Sequence, residues 1–141
     1  MSTQGQQQGQ DAGTIVLGYV PTGLGEAALD AAITECRRRG TRLLVVNSTR
    51  ADRTVDPNYA FADDLGRLHA TLEASGIEHE VRQFTSSQLA SDDVIAAAEE
   101  RDAELIVIGV RRRSPVGKML MGSDSQRILL QADCNVLAVK G

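Results

Sequence analysis

The sequence predicts an α/β domain built on a parallel β-sheet with helices on both faces. Three observations predict it. First, residues 14–20 (TIVLGYV), 42–47 (RLLVVN) and 105–108 (LIVI) are apolar runs without polar alternation, as strands covered on both faces require. Second, segments with helical spacing of apolar residues separate the strands, so the order reads β-α-β-α-β-α-β-α-β. Third, 141 residues suffice for one domain with a real core. Parallel neighbours then need right-handed crossovers, and ligands of such sheets sit at the carboxyl ends of the strands where the winding reverses.

Residues 1–12 (MSTQGQQQGQDA) are polar, low in complexity and have nothing to bury, so a disordered tail is expected before a domain spanning 13–141. The first strand ends at Pro21-Thr22-Gly23. The first helix follows, with Leu29, Ala32, Ile33 and Cys36 on one face. Arg37-Arg38-Arg39 suits the negative end of its dipole as a solvated helix end, and Gly40 terminates it. After the second strand, residues 48–58 (STRADRTVDPN) read as a polar loop with Asp56-Pro57 as its turn signal. A second helix presents Phe61, Leu65, Leu68 and Leu72 and closes at Gly76. Residues 78–84 (EHEVRQF) alternate and are charged, which suits an edge strand. Ser86-Ser87 can cap a third helix carrying Leu89, Val94, Ile95 and Ala98. A fourth helix carries Ile128, Leu129 and Ala132, and Asn135–Lys140 is the last strand.

Charge and composition exclude several function classes. The net charge is −4, yet Arg111, Arg112, Arg113 and Lys118 put +4 into one short segment and leave −8 for the remainder. Such concentration suits a local anion site, not the broad basic face that nucleic acid requires. With two Tyr, two Phe and no Trp, stacking platforms for single strands are missing as well. No run is long enough to span a membrane, no apolar signal region opens the chain, and Cys36 and Cys134 read as buried free thiols; a cytoplasmic protein is expected. His69 and His79 lack metal-ligand spacing, and no nucleophile elbow, Cys-x-x-Cys or paired carboxylates occur, so neither a metal nor an enzymatic activity is expected. Ser48, Ser114 and Ser123 have no base nearby in sequence.

The chain is organised around residues 105–123, LIVIGVRRRSPVGKMLMGS. A buried strand stops at Gly109, a basic loop follows, and Gly122-Ser123 opens a helix with Ser123 as its expected N-cap. Free N–H groups and the dipole at a helix start favour an anion, and glycine lets a phosphate approach the backbone. Two familiar phosphate loops do not fit. A Walker loop would need Gly at Arg112 and a hydroxyl at Met119, and the Gly23-x-Gly25-x-x-Ala28 pattern lacks its ribose carboxylate because Asn47 ends the second strand. The carboxyl-end lining would therefore comprise Tyr19, Val20, Pro21 and Thr22, then Asn47 and Ser48, then Gly109 onward. Tyr19 could stack on a ligand ring or cap the core.

Gly109-x-x-Arg112-x9-Gly122-Ser123, together with the opening IVLGYVPTGLGEAALDAA and the close GKMLMGSDSQRILLQADCNVLAVK, resembles the universal stress protein family over nearly the whole chain. The resemblance implies a five-stranded parallel sheet in order 3-2-1-4-5 of adenine-nucleotide-binding type. It also implies a role in stress response and ATP or another adenine nucleotide at Tyr19, Val20, Pro21, Asn47, Gly109, Arg111, Arg112, Arg113, Lys118, Gly122 and Ser123. A homodimer through Asn135–Lys140 is implied too. Two positions depart from the family pattern. Arg112 stands at the second glycine, and Val20 stands where nucleotide-binding members carry an Asp, followed by Pro21 in place of Gly. These departures point away from ATP held in the usual way. A non-nucleotide-binding dimeric interaction module of the same fold is the alternative.

Overall fold

The computed structural model describes residues 12–50, 60–86, 89–111 and 122–141. The expected tail therefore lies outside the described residues except for Ala12, and so does the Asp56-Pro57 turn. Nine elements alternate along the chain: β1 (Thr14–Gly18), α1 (Gly23–Arg39), β2 (Arg42–Arg50), α2 (Ala62–Ser75), β3 (His79–Ser86), α3 (Ala90–Glu100), β4 (Leu105–Val110), α4 (Ser123–Gln131) and β5 (Asn135–Lys140). The strands form one sheet in the order β3-β2-β1-β4-β5, with every neighbouring pair parallel. Expectation and structure agree on this topology, including β3 as an edge.

Alternation along each strand divides the core in two. Ile15, Leu17, Val45 and Val107 face α1 and α2, where they meet Leu29, Leu68 and Leu72. Val16, Leu44, Val46 and Ile106 face the other way, against Val94, Ala97 and Ile128 of α3 and α4. The three central strands are thus buried on both sides, which is why their sequences show no alternation. Burying one such side chain stabilises the fold by about 1.5–3 kcal/mol. Gly40 and Gly76 close α1 and α2 at φ 67° and 74°, in the left-handed region that disfavours a side chain.

Several boundaries differ from expectation for one reason: residues at helix starts leave the apolar stripe. Phe61 was expected in the core, but it is the N-cap residue of α2 and is exposed. Leu89 occupies the same place before α3 and is also exposed, and the expected cap at Ser86-Ser87 lies outside the described side chains. Gly122, not Ser123, is the N-cap of α4. Leu129 is turned outward beside buried Ile128, because only one side of this nine-residue helix meets the sheet. β2 and β4 run past their predicted ends, so Ser48 belongs to β2 and Gly109 to β4.

Arg38 and Arg39 pair with Glu35, and Arg39 also with Glu104, as suits a solvated helix end. Both cysteines are free. Cys36 is buried, whereas Cys134 is only partly so. Burial pushes both thiols above their ordinary pKa, which keeps them protonated and unreactive. Among the described residues no group of His, Cys, Asp or Glu could hold a metal ion, and no helix is long and apolar enough to cross a membrane.

Candidate functional site

The chain winds from β1 outward to β2 and β3, then returns to the other side of β1 for β4 and β5. The switch point therefore lies between β1 and β4, at their carboxyl ends. The two faces of the sheet finish differently there.

On the α1–α2 face the polar groups satisfy one another. Asn47 is 1% exposed. Its Nδ2 donates to the carbonyl of Tyr19 at 2.9 Å, and its Oδ1 accepts from the Ala60 N–H at 2.8 Å and from Gln83 Nε2 at 3.0 Å. Gln83 Nε2 also donates to the Ala60 carbonyl at 2.7 Å. Thr22 caps α1, its Oγ1 accepting from the Gly25 N–H at 3.2 Å. The Tyr19 ring belongs to this core, and its hydroxyl donates to Glu26 Oε1 at 2.7 Å. Burial first, and then the Glu26 hydrogen bond and charge, hold the phenol well above its usual pKa.

On the α3–α4 face a cavity of about 370 Å³ opens at the switch point. Its floor and walls are apolar: Val20, Val46, Leu89, Val94, Ile108 and Ile128. Its polar rim comes from the starts of two helices, Ser91 on α3 and Ser123, Asp124 and Ser125 on α4. The N-cap residue of neither helix makes a side-chain capping bond. Asp124 Oδ1 instead reaches across to accept from the Ser91 N–H at 3.3 Å. Arg127 ties the same helices together, donating to Ser91 Oγ at 3.2 Å and to Asp92 Oδ1 at 2.9 Å.

Of the residues singled out by sequence, Val20, Ser48, Gly109, Ser123 and Tyr19 border this cavity. Tyr19 does so with its ring turned into the opposite core, so the stacking role is replaced by core capping. Pro21, Asn47, Gly122 and exposed Arg111 are not on its wall. For Asn47 the reason is alternation: Val46 and Ser48 face the cavity, and Asn47 faces away into its own hydrogen bonds. Arg112, Arg113 and Lys118 lie outside the described residues. Packing also requires a glycine at Gly109. A Cβ there would lie 2.6 Å from Leu24 Cγ, so its bareness admits a side chain of α1. Sequence reasoning missed Leu89, Ser91 and Asp124. The only available signal was that two helix starts should converge at a switch point.

This fold and cavity meet a family signature. The family model described as "Universal stress protein family" matches residues 13–140. The chain belongs to the universal stress protein family. A universal stress protein of Mycolicibacterium smegmatis is 44% identical over 126 residues, covering 89% of this chain and 96% of that protein. The structure of a universal stress protein from Archaeoglobus fulgidus superposes with a TM-score of 0.76 at 31% identity, covering 92% of this chain and 98% of its own. A universal stress protein from Archaeoglobus fulgidus in complex with dAMP shares the fold, with a TM-score of 0.62 at 24% identity over 92% and 98% of the two chains.

Proposed function

We propose that this universal stress protein binds an adenine nucleotide or a related anion in the switch-point cavity and acts in stress response as a ligand-responsive binder, without turnover. The observation that carries the reading is the cavity's two-sided chemistry. An apolar slot of Val20, Val46, Val94 and Ile108 suits a flat base, and the α4 start at Ser123 offers N–H groups to a phosphate. Its volume, about 370 Å³, lies within the range of about 300–1,000 Å³ for small-molecule sites. The family's dAMP complex supports the same ligand class. Arg111, Arg112, Arg113 and Lys118 would add charge-assisted contacts to a phosphate held there. Dimerisation through β5 belongs to the proposal: this outermost strand carries Val136, Leu137 and Val139 only partly covered, too apolar for an open edge. Such a protein would work in the cytoplasm.

A second reading, a dimeric interaction module that binds no nucleotide, is favoured by two observations. Val20 puts a methyl-bearing wall where the family resemblance implies a carboxylate, and Asp124 adds negative charge to the rim. Native mass spectrometry of the purified protein, followed by calorimetry with AMP and ATP, separates the readings. Co-purified adenine nucleotide and AMP affinity at least equal to that for ATP are expected. An empty protein that gives no heat with either would leave the interaction module.

A further inference from the structure

Ser48 ends up in an unusual state. It borders the cavity, only 9% exposed, and its Oγ has no hydrogen-bond partner among the described residues. The neighbouring residue shows how the chain ordinarily treats a buried polar group here: Asn47 is engaged at both its oxygen and its nitrogen. Across the cavity, Ser91 is fully buried, and its Oγ accepts from Arg127. An unpaired buried hydroxyl is unfavourable, and Ala or Val would meet a packing need at this strand position without it.

The position of Ser48 says what the hydroxyl is for. It sits near the carboxyl end of β2 on the same face as Val46, among apolar neighbours. The helix start at Ser123 follows β4. Ser48 is on β2 and Ser123 follows β4, with β1 between those two strands, and both residues line the cavity. An elongated ligand with its anionic end at α4 thus places its other end beside Ser48. A flat heterocycle seated against Val20, Val46 and Val94 would otherwise leave its polar edge unpaired in an apolar slot.

We propose that Ser48 is the specificity-determining residue for the base, its hydroxyl pairing with the hydrogen-bonding edge of the ring. A serine hydroxyl both donates and accepts, so it can meet either a ring nitrogen or an exocyclic amine. Rotation of χ1 between staggered wells turns it into the cavity when ligand is present. The inference rests on the nucleotide reading above.

The test uses the full chain, with thermal unfolding in the absence of ligand and calorimetry with AMP for wild type, Ser48→Ala and Ser48→Thr. Ser48→Ala is expected to raise the Tm of the ligand-free protein by about 4 °C, since an unpaired buried hydroxyl is removed. The same variant is expected to bind AMP about 5–10-fold more weakly, and Ser48→Thr to retain wild-type affinity. A merely structural serine would instead lower the ligand-free Tm on replacement and leave AMP affinity alone. Wild-type AMP affinity that persists unchanged in Ser48→Ala overturns the role of Ser48 while the nucleotide reading stands. No AMP binding by wild type overturns both.

Discussion

The two faces of the sheet differ most at its carboxyl edge, a few ångströms apart. Toward α1 and α2 the polar groups are closed on themselves: Thr22 caps its helix, Tyr19 bonds Glu26, and Asn47 stitches β1, β2 and the Ala60 backbone together. Toward α3 and α4 the N-cap residues make no such bond, a cavity remains, and the Ser48 hydroxyl has no partner among the described residues. The difference teaches how one sheet can be both stable and receptive. The closed face supplies rigidity, and the open face leaves hydrogen-bonding capacity for something other than the chain itself.

This contrast can be broken most severely at Asn47. Asn47→Ala is expected to destabilise the protein by about 3 kcal/mol, because the Ala60 N–H and the Tyr19 carbonyl stay buried without their partner. Urea unfolding should show the loss as a lower midpoint at unchanged slope. A loss below about 1 kcal/mol would mean that the network is incidental. Thr22→Ala removes a single cap and should destabilise by about 1 kcal/mol in the same assay.

The open face should respond in binding instead. Asp124→Asn keeps an oxygen for the Ser91 N–H but removes a negative charge from the rim. AMP affinity should rise roughly two- to fivefold at low salt, with the gain shrinking as salt is added and stability nearly unchanged. Weaker AMP binding in this variant would assign Asp124 to holding the site together and blur the distinction between the faces.

Much of this architecture was legible from residue pattern. Unbroken apolar runs announced strands covered on both sides, and helical spacing of Leu29, Ala32, Ile33 and Cys36 announced α1 with its buried face. The strand order was not contained in periodicity. It followed from resemblance, because hydrophobic spacing says that a strand is buried but not which strand lies beside it. Phe61, Leu89 and Leu129 were misplaced for a related reason: a pattern of apolar residues does not reveal which of them fall at a helix start or beyond the reach of the sheet.

The sequence by itself determined the fold class and most of the division between core and surface, since both follow from local propensity and the alternation of elements; the switch point needed the strand order, which the resemblance implied. Tertiary structure alone decided which of two adjacent residues would serve the site. Asn47 and Ser48 are both polar and adjacent in the carboxyl-terminal half of β2, yet a one-residue step in a strand reverses the face. Asn47 was thereby turned into the closed network and Ser48 toward the cavity. Likewise, Asp124 meets Ser91 only because two helices distant in sequence start at the same end of the sheet. Such pairings depend on how the crossovers bring chain segments together, and local pattern carries no record of them.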